Sequence, residues 1–165
     1  MKIVVLALGL FLVSSTAQAQ WLHQSEDDAF ENKTQHISMT MSGMYALGYV
    51  CQGNKSRFVY ITPEKYSAEL SQTMLVLNPK LLVRVDDADV VKLDVFSEEA
   101  NNKTKLVTDD EGSVSLAKAV AVAKKRVSVA IEIGGQLFHK TNFGVTGSKE
   151  ALNKALDGCK AQKSN

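Results

Sequence analysis

Neither sign of charge dominates this chain of 165 residues, in which 19 Lys and Arg face 18 Asp and Glu. The balance is even once Lys2 is set aside. A nucleic-acid binder shows a basic face with excess charge, and an acidic tail the reverse; the sequence carries neither signature, so no nucleic acid is expected as a partner. Reactive motifs are missing as well. There is no Cys-x-x-Cys, no Gly-x-Ser-x-Gly and no histidine pair at metal-ligand spacing among His23, His36 and His139. The acidic stretch "DDADVVKLD" has no glycine for the bend that a calcium loop needs, and "GNKS" lacks the upstream glycine and the following helix of a phosphate loop. No pair of carboxylates stands out for sugar hydrolysis. We therefore expect no catalytic residue, no metal and no cofactor. The longest apolar run is about 11 residues, short of the roughly 20 that span a bilayer as a helix, so stable membrane insertion is not expected either.

That run is informative in another way. Met1-Lys2 leads into "IVVLALGLFLV" and then "SSTAQAQW", with Ala17 and Ala19 at the two small-residue positions of a cleavage site. This pattern predicts a signal peptide over 1–19, cleaved near Ala19, and a periplasmic or secreted protein. Only two cysteines are present. In an exported chain they are most simply paired, so Cys51 and Cys159 are expected to form a disulfide. A catalytic thiol would need one of them reduced beside a histidine, and no local signature joins them.

Residues 20–34 show no clean period and read as a loosely ordered arm tacked down by Trp21. A single β-rich domain is expected over 35–160, followed by a disordered tail at 161–165. From His36 the period is two: Ile37, Met39 and Met41 alternate with Ser38, Thr40 and Ser42. "MYALGYVCQ" puts Tyr45, Leu47, Tyr49 and Cys51 on one face and Ala46, Gly48 and Val50 on the other, where small residues suggest a close approach. "RFVYIT" completes a meander. "EKYSAELSQ" (64–72) suggests one or two helical turns. Strands follow at 80–86, 90–96 and 103–107, then a helix with Ser113 as N-cap and Leu116, Ala117, Val120 and Ala121 at helical spacing. "VSVAIEI" and "QLFHKTNF" form a hairpin through Gly134-Gly135. In the last helix Ala151, Leu152, Ala155, Leu156 and Cys159 share an apolar side. The fold class is mainly β: a single-domain antiparallel β-sandwich or partly open barrel with two helices, the C-terminal one tethered to the sheet by the disulfide.

Tyr45, Tyr49, Gln52, Asn54 and Lys55 are the candidate partner-binding residues, on the strand before and the turn after Cys51. Met39, Met41 and Met44 with Tyr45 and Tyr49 offer either a soft binding face or core packing. Arg84 and Asp86, two apart on a strand, share a face and are read as an ion pair that holds the following turn.

The order of landmarks is a spaced pattern over nearly all of the chain after the leader. It runs from Trp21 and Asp28 through Leu47 and Cys51, then Arg84, Asp86 and Asp87, Ser97, Leu116 and Ala119, Phe143 and Gly147, to Ala151, Leu152 and Cys159. It resembles the type VI secretion accessory family (VasI-like or TagO-like) and, more loosely, other small exported two-cysteine β domains. The resemblance implies a non-enzymatic protein of the bacterial envelope that binds another envelope or secretion-system protein. The alternative is an envelope inhibitor, immunity or superinfection-exclusion protein that blocks an incoming enzyme or phage component with the "CQGNKS" turn or the 97–105 segment.

Overall fold

The computed structural model describes residues 20–28, 33–53, 55–64, 76–100, 103–108 and 112–163. The leader expected at 1–19 and nearly all of the helical turns expected at 64–72 lie outside them. Among the described residues, nine strands and two full helices follow in the order β1 (Leu22–Asp28), β2 (Lys33–Ser42), β3 (Tyr45–Gln52), β4 (Lys55–Thr62), β5 (Lys80–Val85), β6 (Val91–Ala100), β7 (Lys103–Thr108), α1 (Ser113–Ala121), β8 (Val127–Ile133), β9 (Gln136–Phe143) and α2 (Ser148–Lys163).

All pairings are antiparallel and form one sheet in the order β1-β2-β3-β4-β7-β6-β5-β8-β9. Strand β6 belongs to both halves: Val91 to Asp94 pair with β5, and Val95 to Ala100 pair with β7. The sheet folds over at this strand. The β1–β4 and β7 side becomes one layer and β5, β8 and β9 the other, and a single core lies between them. Leu47, Tyr49, Phe58, Tyr60 and Leu106 meet Leu81, Val83, Val129, Ile131 and Phe143 there, with Leu116, Val120, Leu152 and Leu156 of the helices. The two layers and the shared core match the expected mainly-β fold.

In the segment expected to be a loose arm, the described residues 20–28 and 33–34 are ordered instead. Leu22 to Asp28 form β1, in register with β2 from Leu22↔Met39 to Asp28↔Lys33. Its polar composition hid it, because an edge strand with one solvated face needs little apolar alternation. Trp21 is 2% exposed. Its amide donates to the Thr146 carbonyl and its indole N–H to the Gly144 carbonyl, both at 2.9 Å. This ties the β1 edge to the segment after β9, so the sheet almost closes on itself. At the other end, α2 runs on to Lys163, which makes residues 161–163 helical rather than a tail.

The β2 alternation is inverted relative to simple core packing. Ser38 and Thr40 are buried, whereas Met41 is 53% exposed. The reason is α2, which lies against this face. The Ser38 hydroxyl donates to the Ala151 carbonyl at 2.7 Å, and a larger side chain at 38 would push the helix off the sheet. Nor does Ser113 cap α1: Gly112 is the N-cap residue. The Ser113 hydroxyl instead lies 2.8 Å from Thr108 Oγ1, which accepts the Phe58 amide at 2.8 Å. Gly134 and Gly135 turn the β8–β9 hairpin with φ of 57° and 80°, as a two-residue turn with positive φ at both positions requires.

Candidate interaction surface

Cys51 of β3 and Cys159 of α2 form a disulfide with their Cα atoms 6.2 Å apart, and no free cysteine remains. The sulfur therefore holds the last helix against the sheet. His36 sits directly across from Cys51 on β2, and its ring fills the notch left by Gly158, where an added Cβ would lie 2.3 Å from a ring carbon. His23 stacks on His36 with ring centroids 5.6 Å apart. His23 Nε2 and His36 Nδ1 are buried without a hydrogen-bond partner among the described residues. Burial, with the neighbouring His36 and Lys154 charges, pushes the His23 imidazole below its ordinary pKa.

The opposite, outward face of the same strands is also apolar. Ile37, Met39, Val50, Val59, Ile61 and Val107 line a groove of about 370 Å³ there, rimmed by Gln35, Gln52, Lys55, Arg57 and Lys105. Val59 and Val107 are buried yet stand outside the main core. Glu98 faces Arg57 and Lys105 and forms ion pairs with both. Gly48 allows the Met39 side chain to lie across β3, since a Cβ there would come within 3.2 Å of its terminal methyl. The close approach expected from the small residues is thus made by the neighbouring strand.

The candidate partner-binding residues separate. Gln52 and Lys55 stand on the groove rim, with Lys55 exposed. Asn54 lies outside the described residues. Tyr49 is fully buried on the inner face and donates its hydroxyl to Ser56 Oγ at 3.0 Å, so a partner cannot reach it. Tyr45 is half-buried on that inner face, stacked on Tyr60. The methionines and tyrosines do not make one soft face, because strand alternation sends Met39 and Met41 outward and Tyr45 and Tyr49 inward.

Arg84 and Asp86 do not pair either. The Asp86 backbone turns into the left-handed region at φ 52°, and its carboxylate accepts the amides of Lys124, Lys125 and Arg126 at 2.7 to 3.0 Å. Those three bonds hold its carboxyl below the usual range. The neighbouring Asp87 takes the Lys125 ammonium. The turn is held by a carboxylate in a cradle of backbone amides, which side-chain charge counting does not anticipate.

Sequence periodicity also missed a cluster around His139. Its backbone has φ 48°, and His139 and Lys140 together stand opposite Ala130 in a β-bulge. A bulge re-aims a side chain; here it turns the imidazole inward. Nδ1 lies 3.2 Å from Glu64 Oε2 and 3.5 Å from the Tyr45 hydroxyl. The Tyr60 hydroxyl donates to the His139 carbonyl at 2.7 Å and lies 3.1 Å from Thr141 Oγ1. The only hint in "QLFHKTNF" was its uneven alternation. These polar groups span the gap between β3–β4 and β9, and their bonds are used in joining the layers.

Among the described residues, no group of three His, Cys, Asp or Glu is placed to hold a metal ion, and no helix is long and apolar enough to cross a membrane. No protein-family model, curated protein or solved structure significantly matches the chain.

Proposed function

We propose that the protein is an exported, non-enzymatic interaction module that docks on another protein of the cell envelope through the outward face of β2, β3, β4 and β7. The observation that carries this reading is a sheet layer apolar on both faces. One face is spent on the core and α2, while the other forms the groove whose rim holds Gln52 and Lys55. An apolar face rimmed by polar groups is the form of a protein-binding site. Lys55 has no acidic partner among the described residues, whereas Glu98 neutralises Arg57 and Lys105. The fitting occupant is an apolar protein segment that brings a carboxylate to Lys55. The disulfide and the leader-like residues 1–19 support action in an oxidising compartment. The spaced landmarks of secretion accessory proteins point to an envelope partner.

A photo-crosslinking amino acid at position 39 tests this in intact cells. The expected result is one discrete adduct from position 39, none from the exposed position 122, and loss of the adduct in Lys55→Glu. No adduct from 39, or one indifferent to Lys55→Glu, overturns the reading. An adduct formed only from position 55 favours the blocking protein that inserts its turn.

A further inference from the structure

A second groove, of about 430 Å³, lies on the outward face of β5, β8 and β9. The register sets Arg84 beside Ser128 and Ser128 beside Asn142, and sets Leu82 beside Ala130. Arg126 precedes Ser128 by two and shares its face. The bulge that turns His139 inward leaves Lys140 on the outside, lining this groove. Leu82, Val90, Ala130 and Leu137 supply an apolar floor, and the Ser128 hydroxyl, donating to Asn142 Oδ1 at 2.7 Å, supplies a polar edge.

Among the described residues neither Arg84 nor Lys140 forms an ion pair, and Arg126 forms no direct one, although its charge acts on nearby Asp87. The acids at its margins are already engaged: Asp86 with three backbone amides, Asp87 with Lys125, Glu132 with Lys92, and Asp94 with Lys80. Among the described residues, no carboxylate lines the groove. Like charges gathered over an apolar floor, with the nearest carboxylates at the Arg126 end only, form a field that an anion relieves. Guanidinium groups in particular match carboxylate and phosphate oxygens in two-point contacts.

We propose that this groove binds a monomeric anionic amphiphile, with its phosphate or carboxylate held by Arg84, Arg126 and Lys140 and its apolar body along Leu82, Val90 and Leu137. The volume is that of a small-molecule site. A polyanion needs a stripe of cations along an open surface, whereas here they ring one short concavity. A bilayer surface would meet a flat basic patch, and here the cations stand around an apolar floor.

The test is calorimetric titration of the full protein with dodecyl phosphate below its micelle concentration. Inorganic phosphate, dodecyl maltoside and sedimentation with phosphatidylglycerol vesicles are run alongside. We expect saturable one-to-one binding of dodecyl phosphate, at least about tenfold weaker binding of inorganic phosphate, and none of dodecyl maltoside. Arg84→Gln with Lys140→Gln should weaken it by about tenfold or more, the size of a lost charge-assisted bond. Leu137→Asp should weaken it too. All three positions are exposed, so the variants should keep the wild-type melting temperature. Absence of saturable binding overturns the proposal, as does equal affinity in the double variant. Inorganic phosphate binding as tightly overturns the amphiphile, and binding to vesicles alone overturns the monomeric ligand.

Discussion

Two seams close this folded sheet, and they are built from opposite materials. Where α2 lies over β1–β3, the seam is covalent and tightly packed, and its polar atoms go wanting: His23 Nε2, His36 Nδ1 and Thr40 Oγ1 are buried without partners among the described residues. Where β9 meets β3 and β4, no covalent link exists, and Tyr45, Tyr60, Glu64, His139 and Thr141 join through hydrogen bonds. A cross-link restrains the unfolded chain and tolerates imperfect polar matching nearby. A hydrogen-bonded seam has no such reserve, so each of its groups must be satisfied. The first seam combines one covalent bond with packing and the Ser38–Ala151 hydrogen bond, and the second rests on several small bonds.

The largest break in that contrast comes from the staple. Cys51→Ser with Cys159→Ser opens a loop of 108 residues and should lower the unfolding free energy by about 2 to 5 kcal/mol, read by urea denaturation without reductant. A loss below about 1 kcal/mol would mean that packing alone holds α2. Tyr60→Phe should cost less, about 1 to 3 kcal/mol, because it leaves the His139 carbonyl without its donor. If the two seams are independent, the losses add in the combined variant. Strong coupling would join them into one unit.

The smallest effect, and the sharpest in origin, is the pH response of the first seam. The pKa of His23 in the folded protein lies below 6.5, and burial is the main cause. Above pH 6.5 the ring is neutral in both folded and unfolded chains and pH has no effect through it. As the pH falls through 6.5 towards the folded value, the unfolded chain binds the proton first, so stability drops and then levels off below the folded pKa. Thermal melts at steps from pH 8 to 5 should show this drop, and His23→Gln should remove it. A melting temperature that rises on acidification through this window would contradict the assignment.

What could be read from the sequence divides along physical lines. Period-two alternation located β2, β3, β4 and β8, because those strands have one face in the core, and the Gly134-Gly135 turn located β9. The cysteine pair followed from number and from the expectation of export. Strand β1 escaped notice because "LHQSEDD" is polar on an edge. The inversion of β2 escaped because alternation defines two faces without saying which is inside, and the choice rests on α2 arriving from more than 100 residues away, where Ser38 meets Ala151. Asp86 and His139 escaped for a third reason: their roles depend on backbone conformations with positive φ at non-glycine residues. Both candidate grooves are surfaces formed by strands that become neighbours only in the folded sheet.

The bonds made by Trp21 also bear on the timing of folding. Its partner carbonyls belong to Gly144 and Thr146, and the partner of Cys51 is Cys159. Both contacts that close the early strands therefore wait for more than 100 further residues to be made. Until then the inner face of β1–β4 lacks the part of its cover that β9 and α2 supply, and contacts of such long sequence separation form slowly. The nascent protein thus has a vulnerable interval, set by the order of synthesis, in which a chaperone that shields apolar strands would matter most.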